Sequence, residues 1–188
     1  WEHMAKVQPD ESIFERMPAV KKGEYFYALG SLAGHKNFKW IREVARRNPD
    51  KTFVVAGGKD LRAFGDDTEA KDTHNVFYPG YVSDAENAAL MKHCRLFLHP
   101  AVFEGFGIPP LEALALGAPI ALAKASCLPE LYGDTARYFD PYDYEVDLDA
   151  LAARPVALPD KVLAKYSWDK TAALWLEEIK KYARDGKP

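Results

Sequence analysis

Short apolar runs alternate with segments whose apolar residues recur at helical spacing, and this continues from Glu24 to Tyr182. The runs predict six strands. They are Glu24-Tyr25-Phe26-Tyr27-Ala28-Leu29-Gly30, Thr52-Phe53-Val54-Val55-Ala56 before Gly57-Gly58, Val76-Phe77-Tyr78 before Gly80, Arg95-Leu96-Phe97-Leu98-His99, Pro119-Ile120-Ala121-Leu122-Ala123, and Ala136-Arg137-Tyr138-Phe139. Between the first two, Phe38, Ile41, Val44 and Ala45 fall on one helical face, with Lys39, Arg42, Glu43 and Arg46 on the others. Ser83 or Asp84 caps a helix through Ala88, Leu90 and Met91. Another starts near Pro109-Pro110, where a missing N–H has no intrahelical partner to lose, and stops at Gly117 before Pro119. Leu128-Pro129-Glu130-Leu131 reads as a short helix start, and residues 147–153 and 160–165 read as helices. A long amphipathic helix over 168–182 uses Ala172, Leu174, Trp175, Leu176 and Ile179. Its aromatics Trp168 and Trp175, with Tyr166, are expected to pack. Residues 59–73 are polar and weakly patterned and read as loop with room for helical turns.

Regular alternation of strand and helix predicts an α/β fold, a Rossmann-like parallel sheet with helices on both faces and right-handed crossovers. Ligands of such sheets bind beyond the carboxyl ends of the strands. The glycine breaks at Gly30, Gly57-Gly58, Gly80, Gly105 and Gly107 all follow strands, so they are expected to line one crevice.

The richest chemistry lies between His99 and Ala113, where strand, glycine loop and helix N-terminus follow in turn. Gly105 and Gly107 let backbone approach a ligand, and the N–H groups around Phe106 suit an anion. Two carboxylates flank this turn. Glu112, near the start of the helix, suits the cis hydroxyls of a ribose, and Glu104 could accept from the hydroxyls of a sugar beyond the phosphates. His99, at the strand end, reads as a hydrogen-bonded structural residue before it reads as a general base.

Composition narrows the partners. The 188 residues suffice for one core, and 48% hydrophobic with 28% charged residues excludes a disordered chain. A net charge of -3 gives no reason to expect nucleic acid, so a phosphate must be held by local donors. Two cysteines, Cys94 and Cys127, make no disulfide framework, and no spacing suggests a metal site. No signal peptide and no apolar run near the ~20 residues of a membrane span is visible, so a cytoplasmic location is expected.

Pro100 to Ala113, with Gly117-Ala118-Pro119, resembles the Glu-x7-Glu signature of glycosyltransferase family 4, retaining enzymes of the GT-B fold. The resemblance covers most of residues 24–183 and implies a division into a linker segment, 1–20, and a Rossmann-like donor-binding domain, 21–188, one half of a GT-B architecture. It implies transfer of a hexose from a UDP- or GDP-linked sugar to an acceptor, with no metal and no cofactor beyond that substrate. By the same resemblance Glu104 is the catalytic residue that orients the sugar, and Glu112 holds the ribose. Lys36, in a Lys36-Asn37 pair, binds the diphosphate with the backbone of Gly105, Phe106 and Gly107. Many relatives carry an arginine where this chain has Ser31, so the phosphate site is expected to lean on Ser31, His35 and N–H groups. Backbone around Val82, beside Tyr81, would bind the nucleobase. Ser126 and Glu130 follow the next strand, where the donor-site loops converge.

A GT-B enzyme needs a second, N-terminal domain for the acceptor, in the same chain or as a separate subunit, and any peripheral membrane contact would run through that half. The chain alone is therefore expected to bind a donor weakly without transferring sugar. The alternative is a non-catalytic donor-binding subunit that needs a separate acceptor-domain partner. A GT-B epimerase or phosphorylase would lack the Glu-Gly-Phe-Gly-Ile-Pro-Pro-Leu-Glu arrangement.

Overall fold

The computed structural model describes residues 1–31, 33–57 and 73–185. Its strands are β1 (Tyr25–Leu29), β2 (Thr52–Ala56), β3 (Val76–Gly80), β4 (Leu96–His99), β5 (Ile120–Ala123) and β6 (Arg137–Phe139), within a residue or two of the expected runs. They form one parallel sheet in the order β3-β2-β1-β4-β5-β6. Tyr25 to Ala28 and every residue of β4 and β5 are buried, as apolar runs must be when helices cover both faces. The expected loop over 59–73 lies outside the described residues, apart from Thr73.

The helices are α1 (Phe38–Arg47), α2 (Asp84–His93), α3 (Ile108–Ala115), α4 (Leu128–Tyr132), α5 (Leu148–Ala153), α6 (Asp160–Lys165) and α7 (Trp168–Asp185). Ser83 caps α2: its Oγ accepts from Glu86 N at 3.3 Å, and Glu86 Oε2 accepts from Ser83 N at 2.8 Å. In α1 the expected face is buried, and so is Trp40, whose ring stacks on Phe139 with centroids 4.1 Å apart while its indole N–H donates to Asp143 O. Asn75 locks the α1–β2 connection by donating to the carbonyls of Ala45, Asn48 and Lys51.

Residues ahead of β1 are docked on the domain. Asp10 N donates to Ala85 O, and Ile13, Met17 and Val20 enter the core. The expectation that the C-terminal aromatics pack is corrected for α7. Trp168, Leu174, Trp175, Leu176 and Ile179 are all at least 50% exposed, so the apolar face of this helix is turned to solvent. Tyr166 alone meets the expectation, edge-to-face against Phe106 with centroids 4.9 Å apart.

Gly30, Gly57, Gly80, Gly105 and Gly107 lie at or just after the carboxyl ends of their strands, and Gly58 lies outside the described residues. Gly57, at φ +104°, runs so close to β1 that a Cβ there would sit 2.1 Å from Gly30 O, and its N–H donates to Gly80 O. No side chain could stand there, which explains glycine at the end of β2.

Candidate functional site

The strand order reverses between β1 and β4. β1 leads off toward α1 and β2 on one side, β4 toward α3 and β5 on the other, and it is at such a divergence that parallel sheets place a ligand, beyond the carboxyl edge. The two loops that leave there are stapled together. Val102 N donates to His35 O at 2.9 Å, and the Asn37 amide donates to Pro100 O and Pro141 O. Asn37 itself is left-handed, at φ 54°, a conformation that asparagine tolerates better than most residues. These staples bring Lys36, from the first loop, to Glu104, from the second.

Glu104 Oε1 accepts from Lys36 Nζ at 2.6 Å and from His99 Nε2 at 2.9 Å. Burial alone would raise this carboxyl, but the hydrogen bonds from His99 and Lys36 outweigh it and hold the pKa down at about 2. The carboxylate is therefore ionised at any physiological pH and acts only as an acceptor. Its main chain is gripped from the loop after β5: Ser126 Oγ donates to Glu104 O at 2.9 Å, Glu104 N donates to Ser126 Oγ, and the Cys127 thiol also donates to Glu104 O. Lys36, expected as a phosphate ligand, is thus a partner of Glu104, and His99 is the hydrogen-bonded residue expected, with Glu104 as its partner.

Beyond Glu104 the chain turns through Gly105, Phe106 and Gly107 into α3. Gly107 is left-handed at φ +82°, and a Cβ on it would come 2.9 Å from Leu128 Cδ2; its carbonyl accepts from the buried Tyr132 hydroxyl. A Cβ on Gly105, by contrast, would meet nothing within 4 Å, so the fold itself does not demand glycine there. Pro109 and Pro110 remove two N–H groups from the first turn of α3, which moves the donors for an anion back to the loop. The N–H groups of Gly105, Phe106 and Gly107 have no acceptor among the described residues. The Phe106 ring turns away to Tyr166, beside a largely apolar cavity of about 330 Å³ that Trp1, Ile108 and Trp168 also line.

Glu112 lies further along α3, buried, with its Oε1 3.3 Å from His3 Nε2. Burial raises its carboxyl above the ordinary range, and His3 opposes that only in part. The two glutamates that read alike in sequence are thus electrostatically different groups. Ser31 is exposed where β1 ends. Tyr81 (73% exposed) and the buried Val82 follow β3, two strands from β1, and no described contact joins them to Glu104 or Glu112. Glu130 is exposed in the first turn of α4. Among the described residues no cluster of three or more His, Cys, Asp or Glu side chains is placed to hold a metal, and no helix is long and apolar enough to cross a membrane.

The sequence profile of the family described as "Glycosyl transferases group 1" matches residues 9–152. The chain is 40% identical over 155 residues to O-antigen chain mannosyltransferase B of Escherichia coli, covering 74% of this chain and 39% of that protein. Among solved structures it is similar to sucrose-phosphate synthase from Thermosynechococcus elongatus, with TM-score 0.72 and 16% identity over 98% of this chain and 51% of that one. It is also similar to Anabaena HepE in complex with UDP-glucose, with TM-score 0.61 and 19% identity over 79% of this chain and 44% of that one. The chain spans less than half the length of these curated relatives.

Proposed function

The chain belongs to the group 1 glycosyl transferases, and from that premise we propose that it is the nucleotide-diphosphate-sugar-binding half of a retaining family 4 enzyme that moves a hexose to an acceptor. The observation that carries this reading is the Glu104 carboxylate, ionised and held by Lys36 and His99 where β1 and β4 diverge, directly before a run of N–H groups without acceptors among the described residues.

The chemistry follows from the charges. When the bond between sugar and diphosphate breaks, negative charge grows on the departing diphosphate while the sugar becomes cationic. The N–H groups of Gly105, Phe106 and Gly107 are fixed dipoles for the first change. Lys36 has three donors and spends one on Glu104, so it can add a phosphate oxygen without letting go. Glu104 accepts from sugar hydroxyls and favours the cationic sugar. Glu112 receives the ribose hydroxyls once His3 gives way, Ser31 adds a hydroxyl at the phosphates, and the main chain at Tyr81 and Val82 meets the base. Likeness to a mannosyltransferase favours mannose as the hexose, and likeness to a UDP-glucose complex supports a nucleoside diphosphate as its carrier.

A second, acceptor-binding domain completes the enzyme in this reading. The solvent-facing apolar side of α7 supports such a partner, whether covalently continuous or a separate subunit. Calorimetry of the folded chain against UDP, GDP, UDP-glucose and GDP-mannose tests the proposal. Binding of at least one conjugate, without transfer to added acceptors, is expected. Binding of none by a demonstrably folded sample overturns it, and robust turnover by this chain alone overturns the need for a second domain.

A further inference from the structure

We infer that His99 is a positioning residue that sets the direction of the Glu104 carboxylate for the donor sugar, an inference that rests on the reading above. His99 ends β4, and its side chain is only 3% exposed. Its ring lies nearly parallel to that of Phe97, with centroids 6.4 Å apart and planes 17° apart. Glu104 stands five residues on, past the turn through Pro100 and Phe103, so the His99–Glu104 hydrogen bond closes that turn upon itself. Because an ionised carboxylate can only accept, the hydrogen of this bond must sit on His99 Nε2.

The two donors on Glu104 differ in what they can impose. Lys36 ends a flexible four-carbon stem with rotatable donors, so its ammonium neutralises the carboxylate and can follow it as it turns. The His99 ring, buried and backed by Phe97, cannot follow, and it fixes one direction of approach. Both hold the same oxygen, Oε1, so Oε2 carries no protein donor among the described residues and is left for hydroxyls. The loop above is close. A Cβ on Gly107 would lie 3.9 Å from His99 Nε2 and 4.0 Å from Glu104 Cγ, so the loop passes directly over the pair.

The inference separates sugar recognition from nucleotide recognition. Binding of GDP-mannose and UDP-glucose is compared by calorimetry with binding of GDP and UDP, for the full chain and for His99→Phe and His99→Gln. The phenylalanine keeps the ring and removes the donor; the glutamine returns an N–H near the Nε2 position. His99→Phe is expected to weaken the sugar conjugate about tenfold, the loss of one hydrogen bond to a charged group, and to leave the free diphosphate within twofold. His99→Gln recovers part of the loss. A purely structural histidine would instead weaken both ligands together. If the parent binds both ligands and His99→Phe preserves their ratio, the inference fails while the nucleotide site stands. If the parent binds neither, both fall. Should neither variant fold, the His99 ring proton in the parent decides by NMR: a shift caused by the conjugate and not by the free diphosphate supports positioning, and equal shifts overturn it.

Discussion

Replacing Lys36 with methionine keeps the aliphatic stem and removes only the ammonium that Glu104 accepts from at 2.6 Å. The cost can be worked from the carboxyl itself. Its pKa in the folded chain is about 2, against 4.5 for an ordinary glutamate, even though burial pushes the other way. A difference of that size corresponds to about 3 kcal/mol of preference for the ionised form in the native state. His99 and Lys36 share that preference, so losing one donor should destabilise the chain by about 1–2 kcal/mol at neutral pH. The sign with pH follows from the direction of the shift. A depressed carboxyl contributes its full stability above the unfolded value of 4.5, and the contribution is lost as pH falls through the folded value near 2. The gap between parent and Lys36→Met should therefore be widest above pH 4.5 and close toward pH 2. Urea unfolding at several pH values measures it, and a carboxyl NMR titration should find Glu104 moved upward in the variant. A variant as stable as the parent at pH 7, with Glu104 still titrating near 2, would refute the pairing.

Further outcomes follow from other contacts. Glu112→Ala should weaken nucleotide binding ten- to a hundredfold by calorimetry, the loss of an acceptor for two hydroxyls; an unchanged affinity removes Glu112 from the site. Gly57→Ala has no room, with the new Cβ 2.1 Å from Gly30 O at φ +104°, and should cost more than about 3 kcal/mol or leave no soluble protein. Tyr132→Phe strips the buried hydroxyl from Gly107 O and should cost about 1–3 kcal/mol in denaturant unfolding, with a looser Gly105–Gly107 loop seen as faster amide exchange.

Wherever burial and local pattern agree, the sequence was enough. The apolar runs of β1, β2, β4 and β5 carry their own strand signal, and Ser83-Asp84 announces the start of α2, with Ser83 the cap in the structure. The loop with Glu104 was legible because glycine and proline act within a few residues of where they stand. Lys36 stands out in the sequence but its partner, 68 positions away, does not, since only the strand order brings the two together. His99 was legible as a hydrogen-bonded residue but its partner was not, because nothing local tells a histidine which side of a turn it faces. Trp40 escaped the helical stripe because what covers it, Phe139 at the end of β6 and the Asp143 carbonyl beyond it, lies about a hundred positions away in sequence. The apolar stripe of α7 reads the same in sequence whether this chain or another surface covers it.

The unlike surroundings of the two acidic side chains give the crevice an asymmetric response to acid. Glu112, desolvated and weakly countered, takes up a proton first on acidification, whereas Glu104, tethered to two donors, keeps its charge until far lower. In the reading proposed above, acidification would thus loosen the nucleoside end of a ligand before the carbohydrate end, so the molecule would let go of its cargo from one side.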